Sequence, residues 1–383
     1  MRAMLSAAVL AVIVACSDST TPADDGSPIS VNLPSLAVPV LVASADRIYT
    51  LRSIDSTARE LDARRTDGVL TWTVPVPRCG LASDACFIAA DGAGNVYMNS
   101  VDGLVSRNKS TGAARWTLSS ATGVASIAIS TSGKVFAADR DASPAIMYAV
   151  DASTGTVNWS SILPPNFNAS ATLLDESRSV VYAIGRGAAV AFDAQTGSIK
   201  WLTSQNCAAG SGGSLAADGT LYVTCDATLS SRIIAYSPSG SLMWQASLGT
   251  SSGTKAPLID ASGIIYVANA ASITALNKDG SQLWRLAGLF RNQTNPVIDA
   301  DNNVYIVASR ISNISGRYLM SVNNGTIVET KGLFPCSGSL LLNESGRLYC
   351  AEVGLFLFMK TAGFDEASQW SQVSHDASRS ARR

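Results

Sequence analysis

Short apolar runs alternate with polar turns along most of the chain. Leu258-Ile259 and Val297-Ile298 each lead into a polar turn, and β-branched and aromatic residues follow, as in Ile264-Ile265-Tyr266-Val267. The turns are rich in Asp-Gly, Ser-Gly and Asn, which tolerate the positive φ of a tight reversal. This pattern predicts successive strand hairpins.

The hairpins recur with a fixed period. A glycine is followed four residues later by tryptophan at Gly68/Trp72, Gly112/Trp116, Gly155/Trp159, Gly197/Trp201, Gly240/Trp244 and Gly280/Trp284. These tryptophans are 44, 43, 42, 43 and 40 residues apart, the length of a four-stranded β unit rather than of a helical pair. A second string runs in step, with a turn-forming residue before an aromatic: Asp91/Tyr97, Ser130/Phe136, Asp175/Tyr182, Asp218/Tyr222, Asp260/Tyr266, Asp299/Tyr305 and Asn343/Tyr349. Tyr49 opens this series, which predicts eight units.

The best-preserved hairpin runs from Met147 to Trp159 and contains Asp151-Ala152-Ser153-Thr154-Gly155; Ala191 to Trp201 repeats it closely. The turn reverses the chain, and each indole offers about 150–250 Å² of surface for docking one unit on its neighbour. This Ala-x-Asp-x-x-Thr-Gly-x-x-x-Trp pattern resembles the PQQ-like β-propeller repeat, over about residues 37 to 376. The resemblance implies an all-β fold: a single eight-bladed β-propeller of four-stranded antiparallel blades, with Trp72, Trp116, Trp159, Trp201, Trp244 and Trp284 docking the blades. Two units depart from it. Glu329 follows Gly325 and Ala367 follows Gly363 where tryptophan is expected, so blades seven and eight should pack differently. The segment from Trp370 to Asp376 is similar to a terminal element of some such propellers, which would extend or cover the eighth blade.

The N-terminus carries a different signal. Arg2 precedes an apolar run from Ala3 to Ala15, a length suited to a secretion signal and too short to span a bilayer. Its end, Ile13-Val14-Ala15-Cys16, resembles the lipobox of bacterial lipoproteins, in which the cysteine is acylated. The expected organisation is therefore a signal peptide over 1–15, a lipid anchor and flexible tether over 16–35, and the propeller over 36–383. Ser17 after the cysteine, by resemblance to enterobacterial lipoproteins, favours the outer membrane, facing the periplasm or the cell surface.

The composition agrees with a large apolar core: 47% of the 383 residues are hydrophobic and 15% charged. A net charge of −1 offers no footprint for nucleic acid. A single histidine excludes a multi-histidine metal site. Beyond Cys16 there remain Cys79, Cys86, Cys207, Cys225, Cys336 and Cys350, an even number suited to disulfides in an exported protein. The repeat favours the local pairs Cys79–Cys86, Cys207–Cys225 and Cys336–Cys350, with free buried thiols as the alternative.

Two function classes follow. The same repeat builds quinoprotein dehydrogenases, whose sites, as the resemblance implies, use adjacent cysteines, calcium and a catalytic Asp near the quinone. No two cysteines are adjacent here. The most calcium-like string, Asp299-Ala300-Asp301-Asn302-Asn303, falls on the turn that every repeat has, where an Asx turn explains it. His375-Asp376 lacks a paired nucleophile. The favoured class is a binding or scaffolding module with no catalytic, cofactor or metal residues, touching the membrane only through its lipid. Its plan is similar to that of the propeller lipoproteins of outer-membrane barrel assembly. Protein partners are expected at the loops, with candidates at Pro75 to Ala85, Arg310 to Arg317, and residues 285 to 295, which supply Arg285, Phe290 and Arg291, although ordinary loop packing is the favoured reading of these segments.

Overall fold

The computed structural model describes residues 29–32, 40–44, 46–54, 59–66, 68–79, 86–140, 144–204, 207, 209–228, 230–250, 253–288, 290–292, 294–310, 313–331, 340–342, 347–351 and 354–360. Among these, the strands form eight antiparallel sheets in an all-β, propeller-like arrangement. Sheet 1 contains Val40–Ser44, Arg47–Ser53, Arg59–Arg65 and Leu70–Val76. Sheet 2 contains Ile88–Ala90, Val96–Ser100, Gly103–Arg107 and Ala114–Leu118. Sheet 3 contains Val124–Ile129, Lys134–Asp139, Ile146–Asp151 and Val157–Ile162. Sheet 4 contains Ala169–Asp175, Val180–Gly185, Ala188–Asp193 and Ile199–Ser204. Sheet 5 contains Ala209–Leu215, Leu221–Ala227, Ser230–Tyr236 and Leu242–Gly249. Sheet 6 contains Leu258–Ile259, Ile265–Asn269, Ser272–Leu276 and Gln282–Ala287.

The last two sheets depart from the simple four-strand expectation. Sheet 7 has five strands: Val297–Ile298, Val304–Arg310, Asn313–Asn323 and Thr326–Lys331, with Phe290–Asn292 added beside Val304–Arg310. Two expected loops are thereby corrected. Residues 290–292 are strand, and much of the Arg310 to Arg317 excursion is hairpin, with Ser309 opposite Arg317 and Arg310 opposite Asn313. Extra backbone pairing satisfies the N–H and C=O groups that an open loop would leave to water. Sheet 8 contains Leu340–Leu342, Arg347–Ala351 and Gly354–Lys360, and its outer place is taken by Ile29–Asn32. Residues 29–32, assigned from sequence to the flexible tether, are thus a strand pairing with Gly354–Leu357. The 370–376 segment, expected at this blade, lies outside the described residues.

Within each sheet the position of a strand sets its burial. In sheet 4 the second strand is buried throughout, whereas the fourth alternates exposed and half-buried positions. The fourth strand is therefore the outer edge. First strands of neighbouring sheets touch: Val40–Ser44 meets Ile88–Ala90, and Ala169–Asp175 meets both Val124–Ile129 and Ala209–Leu215. The aromatic that follows each first turn is a core anchor: Tyr49, Tyr97, Phe136, Tyr182, Tyr222, Tyr266, Tyr305 and Tyr349 are all buried. Val40–Ser44 also touches Leu340–Leu342 and Arg347–Ala351, so the last sheet meets the first.

Candidate functional site

The turn between third and fourth strands carries the repeat's local chemistry. Asp151 Oδ1 accepts the N–H groups of Ser153 and Thr154, each at 2.9 Å, and hydrogen bonds led by the Ser153 hydroxyl hold its carboxyl down at about 2. Asp193 repeats this with Gln195 and Thr196 at 3.0 and 2.9 Å. The residue after each capping residue receives the tryptophan of the preceding sheet. The indole N–H donates from Trp72 to the Lys109 carbonyl (2.8 Å), from Trp116 to Ala152 (3.0 Å) and from Trp159 to Ala194 (3.1 Å). Trp201 reaches Pro238 at 2.9 Å and Trp244 reaches Lys278 at 2.8 Å.

The glycine of the same turn lies under that indole. At Gly197 (φ +74°) an added Cβ would sit 2.5 Å from the Trp159 ring, and Gly112, Gly155, Gly240 and Gly280 meet Trp72, Trp116, Trp201 and Trp244 in the same way. Gly325 lies more loosely beneath Trp284, at 3.2 Å. In sheet 7, Glu329 stands opposite Ser321, the register position at which Trp284 opposes Ala275. The tryptophan of one repeat therefore docks on the glycine of the next.

The calcium-like string is a hydrogen-bonded turn. Asp299 Oδ1 accepts the N–H groups of Asp301 (3.0 Å) and Asn303 (2.8 Å), and Oδ2 accepts the Tyr305 hydroxyl at 2.8 Å. Asp91 and Asp260 hold Tyr97 and Tyr266 alike, at 2.9 and 3.0 Å. Burial, then the neighbouring carboxylate, push both phenol hydroxyls up. Among the described residues, no three His, Cys, Asp or Glu side chains converge as metal ligands.

Cys79 is bonded to Cys86 and Cys207 to Cys225. Cys350 is also in a disulfide. Cys16 and Cys336 lie outside the described residues, as do His375 and Asp376.

A cavity lies at the opposite end of the sheets from the tryptophan turns. A groove of about 870 Å³ runs between the 164–167 segment, the 186–188 turn of sheet 4, the connection through Ser204 and Cys207, and Ala227-Thr228 of sheet 5. Local rules shape each wall. Phe167 N–H closes a turn onto the Pro164 carbonyl at 3.1 Å, with Asn166 at φ 60°. A Cβ at Gly185 would strike the Asn168 carbonyl oxygen and the Phe167 ring, so only glycine lets this segment seat. The Cys207–Cys225 disulfide pins the third wall to sheet 5. The floor is buried Phe167, and the rim carries Pro165, Leu202 and Arg186, all exposed. Among the described residues lining the groove, Arg186 carries the charge.

Sequence reasoning overlooked this site. Pro164-Pro165-Asn166 and Arg186-Gly187 are ordinary turn signals, and only the fold brings them together.

Comparisons with known proteins agree on the architecture. No curated protein sequence matches the chain. Among solved structures, BamB from Moraxella catarrhalis is similar at TM-score 0.62 and 16% identity, over 86% of this chain and 100% of that one. The computationally designed Ika8 protein matches at 0.64 and 13% identity, over 85% and 97% of the two chains. The Dos1 propeller matches at 0.64 and 12%, over 86% and 94%. These likenesses bear on the fold. The family model described as outer membrane protein assembly factor BamB matches residues 54–214 and 185–325, and the chain, with its PQQ-like repeats, belongs to that family.

Proposed function

We propose that the chain is a lipid-anchored, closed ring of eight blades that binds other proteins through its loop face, assists outer-membrane protein assembly and has no catalytic centre. The groove carries this reading: a preformed, disulfide-braced cavity with a buried aromatic floor and a largely polar rim on which Pro165 and Leu202 stand beside the Arg186 guanidinium suits a protein surface or extended segment. The family's description places its members in outer-membrane protein assembly, and Cys16 at the end of the apolar signal supplies the anchor. The near-neutral charge gives no reason to expect nucleic acid. A quinone-dependent dehydrogenase reading has less support, because the oxygens of Asp299 are engaged by Asp301, Asn303 and Tyr305.

A photo-cross-linking residue at Arg186, compared with one at Ser153 on the far end of the sheets, tests the reading in intact envelopes. Discrete protein adducts are expected from position 186 and not from 153. Equal adducts at both, or none at 186, would sink the loop-face assignment. Acyl labelling that persists in Cys16→Ser would remove the anchor.

A further inference from the structure

In sheets 2 and 6 a row of three side chains crosses the second, third and fourth strands. Tyr97 stands opposite Ser106 and Ser106 opposite Trp116, while Tyr266 stands opposite Ala275 and Ala275 opposite Trp284. The small middle residue lets the two rings meet above it, with centroids 5.9 and 6.0 Å apart. Sheet 4 repeats the row as Tyr182, Ala191 and Trp201, with the rings at 5.6 Å. In sheet 3 the row is Phe136, Ala149 and Trp159, and that indole meets the phenyl rings of Phe136 and Phe192.

The phenols differ in what receives their hydroxyl protons. Asp91 and Asp260 each stand six residues before the tyrosine. The turn fixes one carboxylate oxygen: Asp91 Oδ1 accepts from the Asn95 N–H at 2.8 Å, and Asp260 Oδ1 from the Ile264 N–H at 2.9 Å. The other oxygen is thereby aimed at the phenol, and Oδ2 accepts from Tyr97 at 2.9 Å and from Tyr266 at 3.0 Å. Tyr97 makes a longer contact, 3.4 Å, with the Ala152 carbonyl. Tyr182 lies nearest to its indole, yet its hydroxyl finds no hydrogen-bond partner among the described residues, and Asp175 Oδ2 accepts from Arg178 at 2.9 Å instead. Trp116 and Trp284 are half-buried and reach solvent, whereas Tyr97 and Tyr266 are buried behind them. Two rows therefore run from an indole open to water, through a sheltered phenol, to a carboxylate.

We propose that Trp116–Tyr97–Asp91 and Trp284–Tyr266–Asp260 are redox relays, in which an indole oxidised at the surface is restored by an electron from the buried phenol. A one-electron oxidant, a small radical in solution, takes an electron from the Trp116 indole and becomes an anion, leaving an indole radical cation. Tyr97 then passes an electron to the indole, restoring neutral tryptophan, as the Tyr97 hydroxyl proton moves to Asp91 Oδ2. The products are a neutral phenoxyl radical and a protonated carboxyl, so charge and protons balance. A carboxylate within hydrogen-bond reach is placed to take that proton as the electron leaves. The Trp116 N–H stays on its nitrogen because it points to the Ala152 carbonyl at 3.0 Å, which is too weak a base to remove it. Trp284, Tyr266 and Asp260 act in the same order. This inference goes beyond partner binding and rests on neither the groove nor the anchor.

Pulse radiolysis of the disulfide-intact protein at neutral pH, with the azide radical as oxidant, provides the test. Indolyl absorbance should decay as phenoxyl absorbance grows, at a rate independent of protein concentration. Tyr97→Phe/Tyr266→Phe should lower the phenoxyl yield at least twofold. Tyr182→Phe should leave it nearly unchanged, although proximity alone would make Tyr182 the better donor. In heavy water the transfer in the unaltered protein should slow about twofold, because the hydroxyl proton moves with the electron. Equal losses from the two variants, a larger loss from Tyr182→Phe, growth that scales with protein concentration, or an unchanged rate in heavy water overturns the relay. Should the double variant fail to fold, the concentration dependence and the heavy-water rate of the unaltered protein decide alone.

Discussion

If each tryptophan docks on the glycine of the next repeat, adding one methyl group there should cost more than the backbone conformation alone explains. Gly133 and Gly197 separate the two effects. Both have left-handed φ, +81° and +74°, but an added Cβ meets nothing within 4 Å at Gly133 and lies 2.5 Å from the Trp159 ring at Gly197. An L-residue in that conformation costs about 1–2 kcal/mol, which is the expected loss for Gly133→Ala. Overpacking adds about 1–3 kcal/mol, so Gly197→Ala should lose about 2–5 kcal/mol. Gly325, with its nearest Trp284 atom at 3.2 Å, should fall between them. Urea unfolding with unchanged m-values measures all three. Trp159 also packs on Phe136 and Phe192, at 6.0 and 6.2 Å between ring centroids. A double-mutant cycle of Trp159→Leu with Gly197→Ala should therefore show coupling of about 1–3 kcal/mol, because the smaller side chain relieves the clash. Equal losses at Gly133 and Gly197, with no coupling, would refute the docking account.

Three further outcomes are expected. Tyr305→Phe removes a 2.8 Å bond to Asp299 and should cost about 1–3 kcal/mol, whereas Tyr182→Phe, whose hydroxyl finds no hydrogen-bond partner among the described residues, should be neutral or stabilising in the same unfolding assay. The Tyr182 and Tyr222 hydroxyls are pushed up to about 12 by burial and by Asp175 and Asp218. Their unfolded value is about 10, so the unfolded chain ionises first and stability should fall as pH rises from about 10 to 12, with a shallower fall in Tyr182→Phe. Replacing Cys207 and Cys225 by alanine should cost about 3 kcal/mol and replacing Cys79 and Cys86 about 2.5, following the sequence separations of 18 and 7; equal midpoints for the two double variants would contradict the loop-entropy ordering.

The repeat was legible because each unit must carry its own turn and its own anchors, so Asp151, Gly155, Trp159 and Tyr182 recur at fixed offsets. The target of each indole was not, although the glycine that receives it stands four residues before the next tryptophan. Spacing records what one unit contains, and docking joins two units. Arg59-Glu60-Leu61-Asp62-Ala63-Arg64-Arg65 alternates apolar and charged residues like a solvent-facing strand. Asp62 and Arg64 are nonetheless buried, Asp62 accepting from Arg52, Arg64 and Thr73. Phe290-Arg291-Asn292 was too short to announce a strand, and the extended hairpin beyond Ser309 supplies its partner edge. The groove combines segments from two sheets and two connections, each unremarkable in isolation.

The pairing of Ile29 with Leu357 also sets an order of events. Synthesis runs from the N-terminus, at about 5–20 residues per second, so Ile29–Asn32 waits roughly 15–65 s for its partner to exist. Throughout that interval each completed hairpin from sheet 1 onward can find its neighbour, while Ile29–Asn32 has none. Its brevity and its alternation of Ile and Val with Ser and Asn leave little apolar edge for a passing chain to capture. A longer, stickier strand in this place would hold the finished sheet more firmly and expose every nascent chain to aggregation.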